Sequence, residues 1–384
     1  MIFFEKRLLY FYNKSKQQAI DSFNKKESIL AKTLLYDQHV ALSAKITDFS
    51  GWDMPLHYGS QIEEHHAVRK SAGMFDVSHM TVVDVLGVGG RQFLRYLLAN
   101  DIDTLQPGKA MYSCMLNQHG GVVDDLIIYH RSADNYRLVL NAGTRNKDLR
   151  WIEELSKGFS VGLLERPELA ILAVQGPKAR EILKTALSDE TKINAIKSLR
   201  SFECEDVDDW FIGCTGYTAE DGFELILPQE KLVELWKILL NAGTVPCGLG
   251  ARDSLRLEAG MLLYGQDMDE STTPLESGLA WTVKLSSDDR DFVGKGALLA
   301  QKQYGITNKM VGLTLESKGI LRHGQKVVVE GIGEGVITSG GYSPTLGKSI
   351  ALARVPKGTP DKAMVDIRGK RLPVNVAKPR FLSK

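Results

Sequence analysis

An α+β protein that ends in a small all-β unit is what this sequence predicts, on three observations. At 384 residues the chain exceeds what one hydrophobic core ordinarily holds, so two or three domains are expected. Up to Phe292 its apolar patterning runs strand, helix, strand, strand, an order that favours α+β units over a doubly wound parallel sheet. From Phe292 onward short strands alternate with glycine turns, the texture of a barrel or sandwich.

The elements follow in chain order. Residues 1–32 stand apart, with Lys6, Arg7, Lys14, Lys16, Lys25 and Lys26 set among Phe3, Phe4, Tyr10, Phe11 and Tyr12. No uninterrupted apolar core follows those charges, so a secretory signal does not fit, and Glu5, Asp21 and Glu27 spoil a transit peptide. A loosely attached, dispensable extension is the expectation. Gln61 to Ala72 patterns as a helix stopped by Gly73, Thr81 to Leu86 as a strand, and Arg91 to Ala99 as a helix with Phe93, Leu94, Leu97 and Leu98 inward. Met111–Leu116, Val122–His130 and Tyr136–Asn141 read as successive strands, and Thr144 as the cap of a helix reaching Lys157. A second unit has a strand at Leu169–Val174, a helix after Pro177, strands within Phe202–Cys214 and at Phe223–Leu227, and helices at Gln229–Asn241 and from Ala251. Short strands then recur at Met310–Leu315, Gln325–Glu330, Gly335–Thr338 and Ser349–Val355.

Composition narrows the function. Forty-eight basic residues balance forty-seven acidic ones, so no general attraction to nucleic acid or an anionic membrane follows. No apolar run is long enough to span a bilayer. Cys114, Cys204, Cys214 and Cys247 are scattered and form no Cys-x-x-Cys pair, which points away from a disulfide framework or zinc knuckle and towards a reducing compartment. Gly87-Val88-Gly89-Gly90 lacks a dinucleotide fingerprint, and no P-loop is present. His65-His66 beside Glu63-Glu64 reads as a solvated helix face, because adjacent helical positions diverge.

The stretch from Gly120 to Tyr129 (GGVVDDLIIY) holds the most chemistry. Strand alternation puts Val123, Asp125, Ile127 and Tyr129 on one face and Val122, Asp124, Leu126 and Ile128 on the other. Carboxylates among aliphatic side chains are costly unless paired or hydrogen-bonded, and such groups are often tuned for proton transfer or for holding a polar ligand. Termination of a hairpin after His119-Gly120-Gly121 is the competing reading. Two further glycine-punctuated clusters run from Thr215 to Glu224 and from Gly248 to Asp253. Glu224, between Phe223 and Leu225, can accept paired hydrogen bonds from an amidine-like edge, and Arg252 can bind a carboxylate or heterocycle oxygen bidentately. Turn chemistry for Glu224 and a surface ion pair for Arg252 are the plainer alternatives.

The segments Thr47–Leu56 (TDFSGWDMPL), Gly73–Met80 (GMFDVSHM), Gly120–Leu126, Thr215–Glu224, Gly248–Asp253, Tyr264–Asp269 (YGQDMD) and Thr338–Ala353, taken in order, resemble the aminomethyltransferase family, the T-proteins of the glycine cleavage system. The resemblance runs from Thr33 to the C-terminus. One departure is Ala219, where the family usually has glycine. The resemblance implies two interleaved α+β subdomains over residues 33–285 forming a folate-binding unit, with a C-terminal β-barrel over 292–384. It implies transfer of the methylene carbon of an aminomethyl group, carried on the lipoyl arm of H-protein, to tetrahydrofolate. The products are 5,10-methylenetetrahydrofolate, ammonia and dihydrolipoyl H-protein, with neither metal nor flavin. Asp125 matches the family's aspartate beside the reacting folate nitrogens. Glu224 is then expected on the pterin amino edge, Arg252 and Tyr217 closing the pocket, and Tyr112, Tyr129 and Asn141 in its wall. A bacterial cytoplasm, or the mitochondrial matrix of a eukaryote, is the implied location. Related alternatives are another folate-dependent demethylase, or a non-catalytic folate-binding protein of iron–sulfur assembly; the intact Asp124-Asp125 pair argues against the second.

Overall fold

The computed structural model describes residues 30–286 and 289–382; what the sequence suggests for residues 1–29 lies outside them. Strand Gly73–Asp76 enters a six-stranded sheet, and the chain then leaves to build a five-stranded sheet between Thr81 and Glu165. It returns with Leu169–Gln175, which pairs antiparallel to Gly73–Asp76, Asp76 lying opposite Leu172. The first sheet is completed by Cys204–Val207, Trp210–Gly213, Gly222–Pro228 and Val245–Pro246. The second runs in the order Lys109–Leu116, Val122–Ser132, Asn135–Leu140, Thr81–Leu86, Gly162–Glu165. The two α+β units are therefore interleaved, as expected.

Both sheets are covered on both faces. Leu169–Gln175 is apolar throughout because Leu172 and Val174 pack under helices while Ile171 and Ala173 meet the other sheet. Helix Gln229–Asn241 sets Leu232, Leu235, Trp236 and Leu239 on the first sheet, the stripe expected of a half-buried helix. Phe93, Leu94 and Leu97 of Gly90–Leu97 do the same for the second. Between the sheets lie Phe75, Val82, Tyr129, Val139, Ile171, Phe211 and Ile226.

Several local expectations are corrected. Gly73 does not stop a helix: Gln61–Lys70 ends earlier, and Gly73 opens a strand. A Cβ there would lie 2.5 Å from Val68 Cγ2 and 2.6 Å from Cys247 Sγ, so close packing rather than a turn requires glycine. Thr144 precedes helix Arg145–Ser156 but makes no side-chain cap, its hydroxyl being directed to Asp124 instead. Helix Glu190–Ser198, absent from the sequence expectation, is capped by Asp189, which accepts from the backbone of Thr191 and Lys192. The all-β region starts at Asn308 rather than Phe292, because Lys295–Tyr304 is a helix whose only fully buried side chain is Leu298, too thin an apolar stripe to read.

Six strands from Asn308 to Ala377 close into a barrel around Val311, Leu313, Val327, Ile337, Ala351, Val365 and Val374. One carboxylate ties it to the body. Glu258, fully buried at the end of helix Leu249–Ala259, accepts from Ser343 Oγ at 2.5 Å and the Thr345 backbone at 3.0 Å. Its other oxygen accepts from Thr345 Oγ1 at 2.8 Å and Arg69 Nη2 at 3.0 Å, and His65 Nε2 lies 3.1 Å away. Burial opposes ionisation of Glu258, but the His65 and Ser343 contacts outweigh it and hold the carboxyl at about 2. The helix face carrying His65 and Glu64 is thus buried rather than solvated; Glu64 accepts from the backbone of Tyr58 and Gly248.

Candidate active site

The strand Val122–Ser132 carries Asp124 and Asp125 inside its length, so neither carboxylate terminates the hairpin. That job falls to Gly120, at φ +80°, and to Gly121, where a Cβ would sit 1.8 Å from the Glu270 carbonyl. Alternation divides the pair as the sequence indicates. Asp124 is completely buried, whereas Asp125 faces a cavity. Asp125 Oδ2 accepts from Tyr112 Oη at 3.0 Å, and Oδ1 from Asn141 Nδ2 at 3.2 Å. The same amide donates to Asp124 Oδ1 at 3.0 Å, and Thr144 Oγ1 donates to Asp124 Oδ2 at 2.8 Å. Burial, then the neighbouring Asp124 charge, push the Asp125 carboxyl up to about 7; the Tyr112 and Asn141 donors pull the other way without overcoming them. A carboxyl poised there can take or give a proton near neutrality.

The other two clusters converge on the same cavity. Glu224, on strand Gly222–Pro228, accepts through Oε2 from Thr215 Oγ1 at 2.6 Å and Tyr129 Oη at 3.3 Å. These contacts fix the plane of the carboxylate at the cavity wall. Arg252, in the first turn of helix Leu249–Ala259, lies over the Tyr217 ring at 4.8 Å, and the Tyr217 hydroxyl donates to the Leu262 carbonyl. Among the described residues Arg252 forms no ion pair, and its buried Nη1 has no hydrogen-bond partner. Burial shifts the guanidinium downward and outweighs the attraction of the Glu224 charge, which stands too far off to pair with it. The surface ion pair is therefore not what forms.

Tyr112, Asp125, Asn141, Tyr217, Glu224 and Arg252 all line one cavity of ≈ 1040 Å³. Tyr129 is the correction. It is 1% exposed and stands behind Glu224, its hydroxyl 2.6 Å from Thr215 Oγ1, because by Tyr129 the strand face that lines the cavity at Asp125 has run on into the packing between the sheets. Sequence reading also missed wall residues. Trp281 stacks on Tyr112 with ring centroids 5.6 Å apart and stays 62% exposed at the mouth, and Tyr264, Leu262 and Met80 line the interior. Trp281 sits in the single 3-10 turn Ala280–Thr282, too short for a periodicity to flag it; the YGQDMD motif was the available pointer to Tyr264.

Ala219 occupies the turn before Glu224 at φ +60°, left-handed backbone that suits glycine. Ala219→Gly is expected to stabilise the protein by about 0.5–1 kcal/mol, read as a higher denaturant midpoint, since relief of the side-chain clash exceeds the entropy glycine adds to the unfolded chain. A lower midpoint would show that the turn carries no strain.

Two interleaved α+β units, a barrel sealing one side and a largely apolar cavity with a few fixed polar groups define the T-protein architecture. Residues 35–287 match the family described as the GCVT N-terminal domain, and residues 308–382 the glycine cleavage T-protein C-terminal barrel domain. The chain is 64% identical over 356 residues to the aminomethyltransferase of Legionella pneumophila (strain Paris), covering 92% of this chain and 98% of that protein. It is 57% identical over 351 residues to that of Alcanivorax borkumensis, covering 91% and 96%. The crystal structure of glycine cleavage system aminomethyltransferase T from Bartonella henselae superposes with a TM-score of 0.85 at 35% identity, over 92% of this chain and 98% of that one. The chain belongs to the aminomethyltransferase family, the T-proteins of the glycine cleavage system, and is a folate-dependent one-carbon transferase.

Proposed function

We propose that tetrahydrofolate occupies the ≈ 1040 Å³ cavity, with its pterin amino edge on Glu224 and Asp125 beside its reacting nitrogens. The carrying observation is convergence: three polar clusters far apart in sequence line one cavity of a size suited to a large heterocyclic ligand. The fixed carboxylate of Glu224 supports recognition of an amidine-like edge by two parallel hydrogen bonds. Arg252, cationic and without an anionic partner among the described residues, supports capture of an anionic or carbonyl oxygen of the same ligand. We assign the donor as the aminomethylated lipoyl arm of H-protein. Trp281, Phe202, Ile62 and Tyr342, all exposed and all at the cavity, give an apolar rim suited to an aliphatic arm.

Asp125 then has two tasks. Folate nitrogens are weak nucleophiles, so a carboxylate that accepts a proton as the new carbon–nitrogen bond forms lowers the barrier. The carbon–sulfur bond to the lipoyl arm breaks as that bond forms. Asp125 then passes the proton to the departing amine, and loss of ammonia leaves a cationic methylene carbon whose charge the restored carboxylate stabilises until the second folate nitrogen closes on it. Asn141 and Tyr112 hold Asp125 in one orientation for both. Among the described residues no helix is long and apolar enough to cross a membrane, and we place the reaction in the cytoplasm. The test is release of ammonia and methylenetetrahydrofolate from aminomethylated H-protein. Both products must depend on added tetrahydrofolate; ammonia release indifferent to folate would overturn the reading.

A further inference from the structure

Asp148, on helix Arg145–Ser156 behind the paired aspartates, has no part in the chemistry described so far. It is completely buried, and neither of its carboxyl oxygens meets a conventional donor. It nevertheless lies in hydrogen-bond contact with Asp124 and beside Thr144. Thr144 has one hydroxyl proton, already directed between Asp124 Oδ2 at 2.8 Å and the Asn141 carbonyl at 3.1 Å. Two carboxylate anions cannot satisfy each other, whereas an acid and a carboxylate can. The donors decide which of the carboxyls holds the proton. Asn141 and Thr144 serve Asp124, and Tyr112 and Asn141 serve Asp125, while Asp148 has within reach only Thr144, whose one proton is already directed to Asp124 and the Asn141 carbonyl.

We propose that Asp148 is a positioning residue that carries a proton at neutral pH and donates it in a hydrogen bond to Asp124, the carboxylate directly behind Asp125. The inference rests on the reading of Asp125 as the reacting carboxylate. Burial first, and Asp124 second, hold the Asp148 carboxyl up at about 9. The charged groups nearby do not reverse this. Lys147, the next residue on the same helix, directs its ammonium to the Val123 carbonyl at 2.5 Å, the Tyr264 hydroxyl at 2.6 Å and Glu270 at 3.0 Å. Asp125 itself is faced by Asp124, Tyr112, Cys114 and Tyr217, none of them a cation. Asp124 never reaches the cavity, so it acts on the reaction through its charge and through the Asn141 amide that it shares with Asp125. An ionised Asp124 raises the proton affinity of Asp125 towards neutrality. Without the Asp148 donor, one of the contacts that hold the Asp124 charge against Asp125 is lost, and Asp125 then becomes a weaker base.

Two variants and two measurements test this on the whole protein. Asp148→Asn keeps a donor without a titratable proton; Asp148→Leu removes the donor and adds volume to a buried site. The acid limb of the kcat/KM–pH profile is expected to stay within about 0.3 unit in Asp148→Asn and to move down by about one unit in Asp148→Leu. Equal displacement in both variants, or none in either, would overturn the proposal. Infrared difference spectra at about pH 8, where an ordinary carboxyl is ionised, give an answer independent of turnover. The carbonyl band of a buried carboxylic acid is expected in the native protein and in Asp125→Asn, and absent from Asp148→Asn. Persistence of the band in Asp148→Asn refutes the assignment, and the band decides alone if Asp148→Leu does not fold. Should Asp125→Asn retain full turnover, the reading of Asp125 fails while the band still reports where the proton sits.

Discussion

Asp125→Asn is expected to lower turnover by about a hundredfold or more while tetrahydrofolate binding changes only a few-fold. The amide fills the same space and can still meet Tyr112 and Asn141, but it can neither accept a proton nor offset a developing cation. In the native enzyme kcat/KM should fall as pH drops through about 7, where Asp125 becomes protonated. The same variant is expected to be more stable than the native protein above neutrality. Below about pH 4 the folded and unfolded chains both hold the Asp125 proton, and its burial carries no penalty. Between pH 4 and about 7 the unfolded chain releases that proton first, so native stability declines, and the full penalty is reached above 7. Urea midpoints at pH 4 and pH 8 check the sign. A variant equally active, or one less stable at pH 8, would remove Asp125 from the role given to it.

Glu224→Ala is expected to raise the tetrahydrofolate dissociation constant by about tenfold to a hundredfold, the cost of leaving ligand donors unpaired in a desolvated wall. At saturating folate its turnover should remain close to native, because the contact is made equally in ground and transition states. Glu224→Gln should also weaken binding, since it turns one acceptor oxygen into a donor facing donors. Titration calorimetry with the folate alone separates this from chemistry. An unchanged dissociation constant in both variants would exclude Glu224 from folate recognition.

Much of this was legible because periodicity and burial agree. Helix Gln229–Asn241 and strand Thr81–Leu86 fall where the patterning puts them, and the opposite faces of Asp124 and Asp125 follow from alternation alone. What escaped depends on packing that no local pattern encodes. Tyr129 shares a strand face with Asp125, yet four positions of sheet twist and the facing Phe211 ring, 4.9 Å away, bury it behind the wall. Asp148 stands in the first turn of a charged helix, where an acid normally marks solvent and a favourable dipole. Only the tertiary contact with Asp124 reverses that meaning. His65 was misread for the same reason: the barrel hairpin that covers it is contributed from far along the chain.

The pairing of Gly73–Asp76 with Leu169–Gln175 has a consequence for biosynthesis. On the ribosome the first of these strands emerges long before its partner, and the whole five-stranded sheet is translated in between. Synthesis at about 5–20 residues per second leaves seconds in which that inserted sheet can close while the outer one waits with an unpaired edge. A nascent chain halted with Glu165 beyond the exit tunnel should therefore protect Val122–Ser132 from protease while Gly73–Asp76 remains cleavable. Simultaneous protection of both would mean that the waiting strand is sheltered by something other than its native neighbour.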